Sequence, residues 1–116
     1  MNTTVFSLLT LSLAACATMT PPTDRMARTE GSIRGASEVG AGGVPRASLH
    51  LRLAQEQFQS AKTFMRSGDN QEAALMFLRA QADAELALQL TRQAQAEASS
   101  QQAESELRWF ESNTKP

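Results

Sequence analysis

The feature that most constrains the fold is an apolar stripe that recurs at alternating steps of four and three residues. Its members are Ala47, Leu51, Ala54, Phe58, Ala61 and Met65. This spacing places the side chains along one face of an α-helix. The stripe therefore predicts an amphipathic helix over Pro45–Ser67, with Pro45 at the first helical position, where a backbone N–H would have no intrahelical partner.

A tight turn is predicted directly after this helix. Gly68 suits the left-handed residue that ends many helices. Asp69 and Glu72 have the spacing of an N-cap and its N3 partner, so a new helix is expected to start at once. Two helices joined by so short a loop must run antiparallel, as a helical hairpin.

The second helix of the hairpin is predicted over Asn70–Phe110 and carries two apolar stripes rather than one. A helix with two apolar faces needs two partners, so we expect the preceding helix on the Ala/Phe stripe and a further helix on the Leu stripe. The Ala/Phe stripe contains Ala73, Phe77, Ala80, Ala84, Ala87, Ala94 and Ala98, and the Leu stripe contains Leu75, Ala82, Leu86, Gln93, Ala96, Ala103, Leu107 and Phe110.

A weaker N-terminal helix is predicted over Asp24–Val39, with Asp24 as its cap. The glycine-rich residues 40–44 separate it from the hairpin. Tyr is absent and Val and Ile are scarce, whereas Ala, Gln, Glu, Arg and Leu dominate from Pro45 onward, which is a helix-forming composition. The predicted fold class is all-α: an antiparallel helical hairpin with a weaker N-terminal helix in a three-helix arrangement.

The first 16 residues contain the chain's single cysteine, behind an apolar run over residues 5–13. This run is too short to span a bilayer and has the length of the apolar core of a signal peptide. The quartet Leu13-Ala14-Ala15-Cys16 resembles the lipobox of bacterial lipoproteins, which implies cleavage before Cys16 and a lipid (diacylglycerol, palmitate) anchor on its thiol. The alternative is that Cys16 is a small buried side chain near the start of a helix.

Residue 17 bears on the destination of such a lipoprotein. Lipoproteins retained in the inner membrane commonly carry Asp after the cysteine, and this chain has Ala17. The resemblance therefore implies an outer-membrane location on the periplasmic face. Pro21 and Pro22 favour extended backbone, so residues 16–23 are expected to act as a lipidated tether.

The charged and polar residues give no sign of catalysis. The net charge is -1, which argues against nucleic acid as a partner. His50 has no cysteine, second histidine or serine at a spacing that indicates a metal site or a nucleophile–base pair. Asp83 and Glu85 point to different faces of a helix, and their expected neighbours are Arg79 and Gln89 on the surface. No catalytic residue, metal ligand or cofactor is therefore predicted.

The last segment, residues 99–116, has the composition of a polar helix end or tail except for Leu107, Trp109 and Phe110. One interpretation is that these three side chains fold back on the core or pack against a second copy. The other is that they anchor a protein partner, because Trp and Phe are frequent at binding hot spots. Both interpretations are compatible with the sequence.

Residues 24–98 are similar to the DUF4398 family of small bacterial envelope proteins, many of which are lipoproteins. The residues that match are the proline before the first strong helix (Pro45), Ala54 and Ala61, the turn at Gly68-Asp69, Ala73, and the run Asp83-Ala84-Glu85-Leu86-Ala87. The resemblance implies a helical envelope domain with no established enzymatic activity. Some members of the family precede a peptidoglycan-binding domain.

These observations predict a non-enzymatic, lipid-anchored periplasmic protein with a structural or protein-interaction role at the outer membrane. The alternative is a binding module that captures a peptidoglycan-associated or other envelope partner through the long C-terminal helix. Membrane contact is expected through the lipid anchor, and the other expected partners are an envelope protein or a second copy of the chain.

Overall fold

Three α-helices joined by short connections make up the computed structural model, which describes residues 19–114. Helix α1 spans Thr23–Glu38, α2 spans Pro45–Arg66 and α3 spans Asn70–Asn113, with a short 3-10 turn at Ala41–Gly43. The described residues form no strand. The predicted all-α, three-helix fold is therefore confirmed, and each helix ends within one turn of its predicted boundary.

The turn between α2 and α3 is a Schellman motif. Gly68 has a φ of +85°, its N–H donates to the Met65 carbonyl at 3.3 Å, and the Asp69 N–H donates to the Phe64 carbonyl at 2.9 Å. These bonds pair carbonyl groups that would otherwise lack partners at the helix end. Only a residue that tolerates positive φ fits at this point, which is the role predicted for Gly68.

The two predicted side-chain caps do not form. Asp69 occupies the N-cap position of α3 but makes no side-chain bond to the helix, and its Oδ2 lies 3.2 Å from the Ser67 hydroxyl instead. Asp24 lies inside the first turn of α1, where Pro22 is the residue before the helix. Its negative charge still suits the positive end of the helix dipole.

Alanine and phenylalanine side chains form the core between α2 and α3. The rings of Phe58 and Phe77 lie 5.5 Å apart at a tilt of 59°, and Phe77 is completely buried. Fully buried alanines on both helices surround these rings and let the helix backbones approach closely. The buried alanines are Ala47, Ala54, Ala61, Ala73, Ala80, Ala84 and Ala87.

Helix α1 covers the same core rather than the Leu stripe. Its Met26 and Ile33 pack against the cluster around Phe77, and its Ala36 belongs to the cluster around Ala87. The three helices therefore run up, down and up, and each of them contributes to both clusters. The predicted placement of the first helix on the Leu stripe is wrong, because α1 buries its apolar face against α2 and α3 together.

A buried hydroxyl marks the α1–α3 contact. Thr29 is fully buried, and its Oγ1 lies 2.8 Å from the Arg25 carbonyl and 3.1 Å from the Phe77 carbonyl. The single hydroxyl proton is shared between one acceptor in its own helix and one in α3. This contact fixes the axial position of α1 along α3.

Helix α3 extends well beyond the other two helices. The hydrogen bond farthest along α3 that reaches another part of the fold runs from Gln95 Nε2 to the Val39 carbonyl, at 3.1 Å, and Glu97 still lines a pocket with Val44 and Pro45. All residues from 95 to 114 are exposed. At 1.5 Å per residue, the helix after residue 97 projects by roughly 24 Å.

Candidate interaction surface

The projecting end of α3 carries an exposed apolar tip, which we define as Leu107, Trp109 and Phe110. Their exposed fractions are 63%, 60% and 56%. The two rings meet edge to face, with centroids 5.0 Å apart and an interplanar angle of 81°. Because the tip contacts neither α1 nor α2, the interpretation in which it folds back on the core is wrong for this structure.

Carboxylates surround the tip. Glu104 forms an ion pair with Arg108 at 3.7 Å between Oε2 and Nη1, and Glu106 accepts a hydrogen bond from Gln102 at 3.0 Å. Glu111 is also exposed. Polar i,i+4 contacts of this kind add only about 0.2–0.5 kcal/mol each to a helix. The projecting helix is therefore an apolar tip with an acidic rim, held by local contacts alone.

The tip lies at one end of a line of exposed residues along the side of α3 that faces away from α1 and α2. We call this line the outer seam. From Ala82 onward its members recur at strict steps of four and three residues, and every one is exposed. The outer seam consists of Leu75, Arg79, Ala82, Leu86, Gln89, Gln93, Ala96, Ser100, Ala103, Leu107 and Phe110.

At the other end of the outer seam lies a second apolar surface, the base patch, formed by Met19, Leu75 and Leu78. These side chains are 48%, 45% and 50% exposed. An open pocket of about 500 Å³ beside Met19 and Leu78 is also lined by Arg25, Arg28 and Asp24. The base patch therefore has a partly basic rim, in contrast to the acidic rim of the tip.

The tether enters the fold at the base patch. Asn70, the first residue of α3, donates a hydrogen bond from Nδ2 to the Met19 carbonyl at 2.6 Å. The tip lies at the opposite end of α3, which at 1.5 Å per residue is roughly 60 Å away. Cys16, the predicted lipidation site, lies outside the described residues.

A polar cluster joins α2 to α3 midway along the hairpin. His50 Nδ1 lies 2.8 Å from Asp83 Oδ1, and Gln57 Nε2 donates to Asp83 Oδ2 at 2.8 Å. The buried Gln57 Oε1 has no hydrogen-bond partner among the described residues. No partner for His50 was predicted from the sequence, because residues on two different helices show no recognisable spacing along the chain.

Two expected surface contacts are replaced by others. Asp83 pairs with His50 and Gln57 rather than with Arg79, because it points toward α2 and is only 21% exposed. Glu85 accepts a hydrogen bond from Gln81 at 2.8 Å rather than from Gln89. Both Gln81 and Gln89 lie four residues from Glu85, so the sequence alone does not distinguish them.

The His50 cluster supplies no further reactive group. The pockets beside Met19 and Leu78, beside Val44 and Leu90 and at the tip do not include His50. Residues 19–114 contain no group of three or more His, Cys, Asp or Glu side chains placed to hold a metal ion. The cluster has the geometry of an interhelical link.

Two buried residues of α3, Ala74 and Thr91, lie outside the predicted stripes. Thr91 stands between Ala87 and Ala94 on the α3 core face and is 1% exposed, with its hydroxyl donating to the Ala87 carbonyl at 2.8 Å. Because its side chain is polar, Thr91 does not belong to an apolar pattern. The sequence signal that could have identified Thr91 as a core residue was its spacing, four residues after Ala87.

The family comparison gives a match over residues 24–103, to the model described as a domain of unknown function, DUF4398. The chain belongs to the DUF4398 family. The match covers α1, α2 and α3 as far as Ala103. Comparisons with curated proteins and with solved structures gave no significant match.

The DUF4398 match ends before the tip. It includes the buried core, the Gly68 turn and the His50–Asp83 link, whereas Leu107, Trp109 and Phe110 lie beyond residue 103. The outer seam crosses this boundary without interruption. Within residues 19–114 of this DUF4398 protein, no helix is both long and apolar enough to span a bilayer.

Proposed function

We propose that this DUF4398 protein is a non-enzymatic, lipid-anchored periplasmic protein of the outer membrane that presents a helical surface to a protein partner. The observation that carries the proposal is the projection of α3, whose tip exposes Leu107, Trp109 and Phe110 with no contact to the rest of the fold. Exposing three large apolar side chains at one point is costly in water unless another surface covers them.

The anchor part of the proposal rests on the sequence Leu13-Ala14-Ala15-Cys16 and on Ala17 after it. Cleavage before Cys16 leaves a few residues between the lipid and Met19, which lies against the start of α3. The anchor then attaches the domain to the membrane at the end of α3 that carries the base patch, while the tip lies at the other end.

The anchor is tested by labelling the expressed chain with a clickable palmitate and comparing wild type with Cys16→Ser. We expect label in the outer-membrane fraction for wild type and none for Cys16→Ser. A wild-type chain without label contradicts lipidation, and label in the inner-membrane fraction contradicts the proposed location.

The interaction role is tested by replacing Leu107, Trp109 and Phe110 together with Ala. Because the tip contacts only its own helix, we expect the melting temperature to change by less than about 2 °C, while crosslinks to the partner are lost. The matched control replaces Gln101 and Gln102, which are exposed on the same projecting helix, and should retain the crosslinks. A large fall in melting temperature would instead show that the tip stabilises the fold.

A further inference from the structure

We infer that the outer seam pairs with the outer seam of a second copy of this chain, with the two α3 helices antiparallel. The inference deepens the proposed function by naming the partner, and it rests on that function only in treating the tip as a binding surface. It does not require the lipid anchor.

The first argument is the period of the outer seam. Its residues recur every 3.5 on average from Ala82 to Phe110, the same period as the buried stripe on the opposite side of α3. A sustained 3.5-residue period keeps one face turned toward a partner helix that supercoils around it. The buried stripe has α1 and α2 as partners, whereas the outer seam beyond Leu75 has no partner helix within residues 19–114.

The second argument is the shape of the seam. Large apolar side chains stand at its two ends, at Leu75 and Leu86 and at Leu107 and Phe110, whereas its middle contains small and amide side chains. Small residues let two helices approach closely. The middle therefore suits close helix–helix contact, with bulky side chains packing at both ends. The middle residues are Gln89, Gln93, Ala96, Ser100 and Ala103.

The third argument is charge, and it selects the antiparallel orientation. The base patch is rimmed by two arginines and one acid, Arg25, Arg28 and Asp24, and Arg79 lies on the seam itself. The tip is surrounded by three acids and one arginine, Glu104, Glu106, Glu111 and Arg108, so the two ends of α3 have opposite net charge. An antiparallel pair brings the acidic rim of one copy to the basic side chains of the other. A parallel pair brings the two acidic rims together and places Arg79 against its own copy, which is repulsive.

The symmetry of the pair makes both contacts form together. In an antiparallel pair with a two-fold axis, contact of one tip with the partner's base patch implies the reciprocal contact at the other end. The axis crosses α3 near Gln93, about midway between Leu78 and Leu107. Each tip then covers a base patch, so the seam residues Leu107 and Phe110 of one copy become buried against Leu75 of the other.

Thiol crosslinking tests the orientation. The full chain carrying Cys16→Ser is purified in a mild detergent, so that an introduced cysteine is the only thiol. Leu78→Cys and Leu107→Cys proteins are treated with a bismaleimide of about 10 Å reach, which tolerates a shift of one helical turn of about 5.4 Å. We expect crosslinked dimers when the two proteins are mixed, and none from either protein alone.

The Leu78→Cys and Leu107→Cys proteins on their own test the orientation, because it sets the distance between the two copies of each cysteine. In the antiparallel pair, the two copies of residue 78 lie on the order of 40 Å apart, too far for the reagent. Crosslinking of Leu78→Cys with itself and of Leu107→Cys with itself would show a parallel pair and overturn the inference. Leu49→Cys, on an exposed part of α2, is the control and should give no dimer in any mixture.

Light scattering supplies the second measurement. The Cys16→Ser chain should have twice the monomer mass after correction for detergent, and adding Leu86→Glu and Phe110→Glu should halve that mass with the helical circular dichroism unchanged. A monomeric Cys16→Ser chain would overturn the self-pairing. In that case the proposed function still stands if tip-dependent crosslinks to another envelope protein are found.

Discussion

His50 Nδ1 and Asp83 Oδ1 lie 2.8 Å apart, linking α2 to α3 across a hairpin of 33 residues in sequence. The same carboxylate accepts a hydrogen bond from Gln57, so one side chain of α3 contacts two positions on α2. This link sits between the two apolar clusters, which contain Ala47 and Ala87 on one side and Phe58 and Phe77 on the other. It fixes the axial register of α2 relative to α3, which a row of similar alanine side chains defines poorly.

Replacing Asp83 with Ala should lower the free energy of unfolding by about 1–3 kcal/mol, because His50 and Gln57 lose their acceptor in a partly buried place. Urea unfolding followed by circular dichroism measures the change. Glu85→Ala is the control, since Glu85 is exposed and bonded only to Gln81 on its own helix. An equal loss in both variants would show that the link adds no stability of its own.

Two glycine substitutions should have opposite effects. Gly68→Ala forces a side chain into a φ of +85° and should cost about 1–2 kcal/mol. Gly31→Ala places Ala in a helix interior where nothing lies within 4 Å of the new methyl group, and should stabilise by about 0.5–1 kcal/mol. Thermal unfolding of both variants under the same conditions checks the signs. Stabilisation by Gly68→Ala would contradict the Schellman turn.

Phe77→Ala should be the most destabilising truncation of any single core side chain. Phe77 is completely buried between the helices, and removing a buried ring costs about 3–5 kcal/mol through lost burial and the cavity left behind. Leu49→Ala is the matched control, because Leu49 is 45% exposed and should change stability by less than about 0.5 kcal/mol. If denaturant titrations gave similar losses of unfolding free energy for Phe77→Ala and Leu49→Ala, the core would not be centred on Phe77.

Thr29→Val should loosen α1 selectively. The substitution keeps the side-chain shape but removes the hydroxyl that bridges the Arg25 and Phe77 carbonyls, at a cost of about 1 kcal/mol. Amide hydrogen exchange should accelerate in residues 23–38 and remain nearly unchanged in α2. Thr29→Ser retains the hydroxyl and should exchange more slowly than Thr29→Val in α1. Equal rates in the two variants would rule out the hydroxyl as the cause.

The sequence by itself determined the helices and the turn between them. Apolar residues that recur at alternating steps of four and three fit only one regular backbone, the α-helix. Gly68 ends α2 because its backbone adopts a positive φ. These are short-range effects, so the residues that cause them are neighbours in the chain. The same reasoning singled out Leu107, Trp109 and Phe110, because three large apolar residues interrupt an otherwise polar segment, but it left open whether they fold back on the core or stay exposed.

Only the tertiary structure decided which stripe of α3 is buried. Both stripes share one period, and nothing along the chain shows that α1 joins α2 on the Phe77 side and leaves Leu75 and Leu86 exposed. The same holds for His50 and Asp83, which meet only because α2 and α3 run antiparallel in one register. Packing between helices is a property of three surfaces at once, and a periodicity describes only one of them at a time.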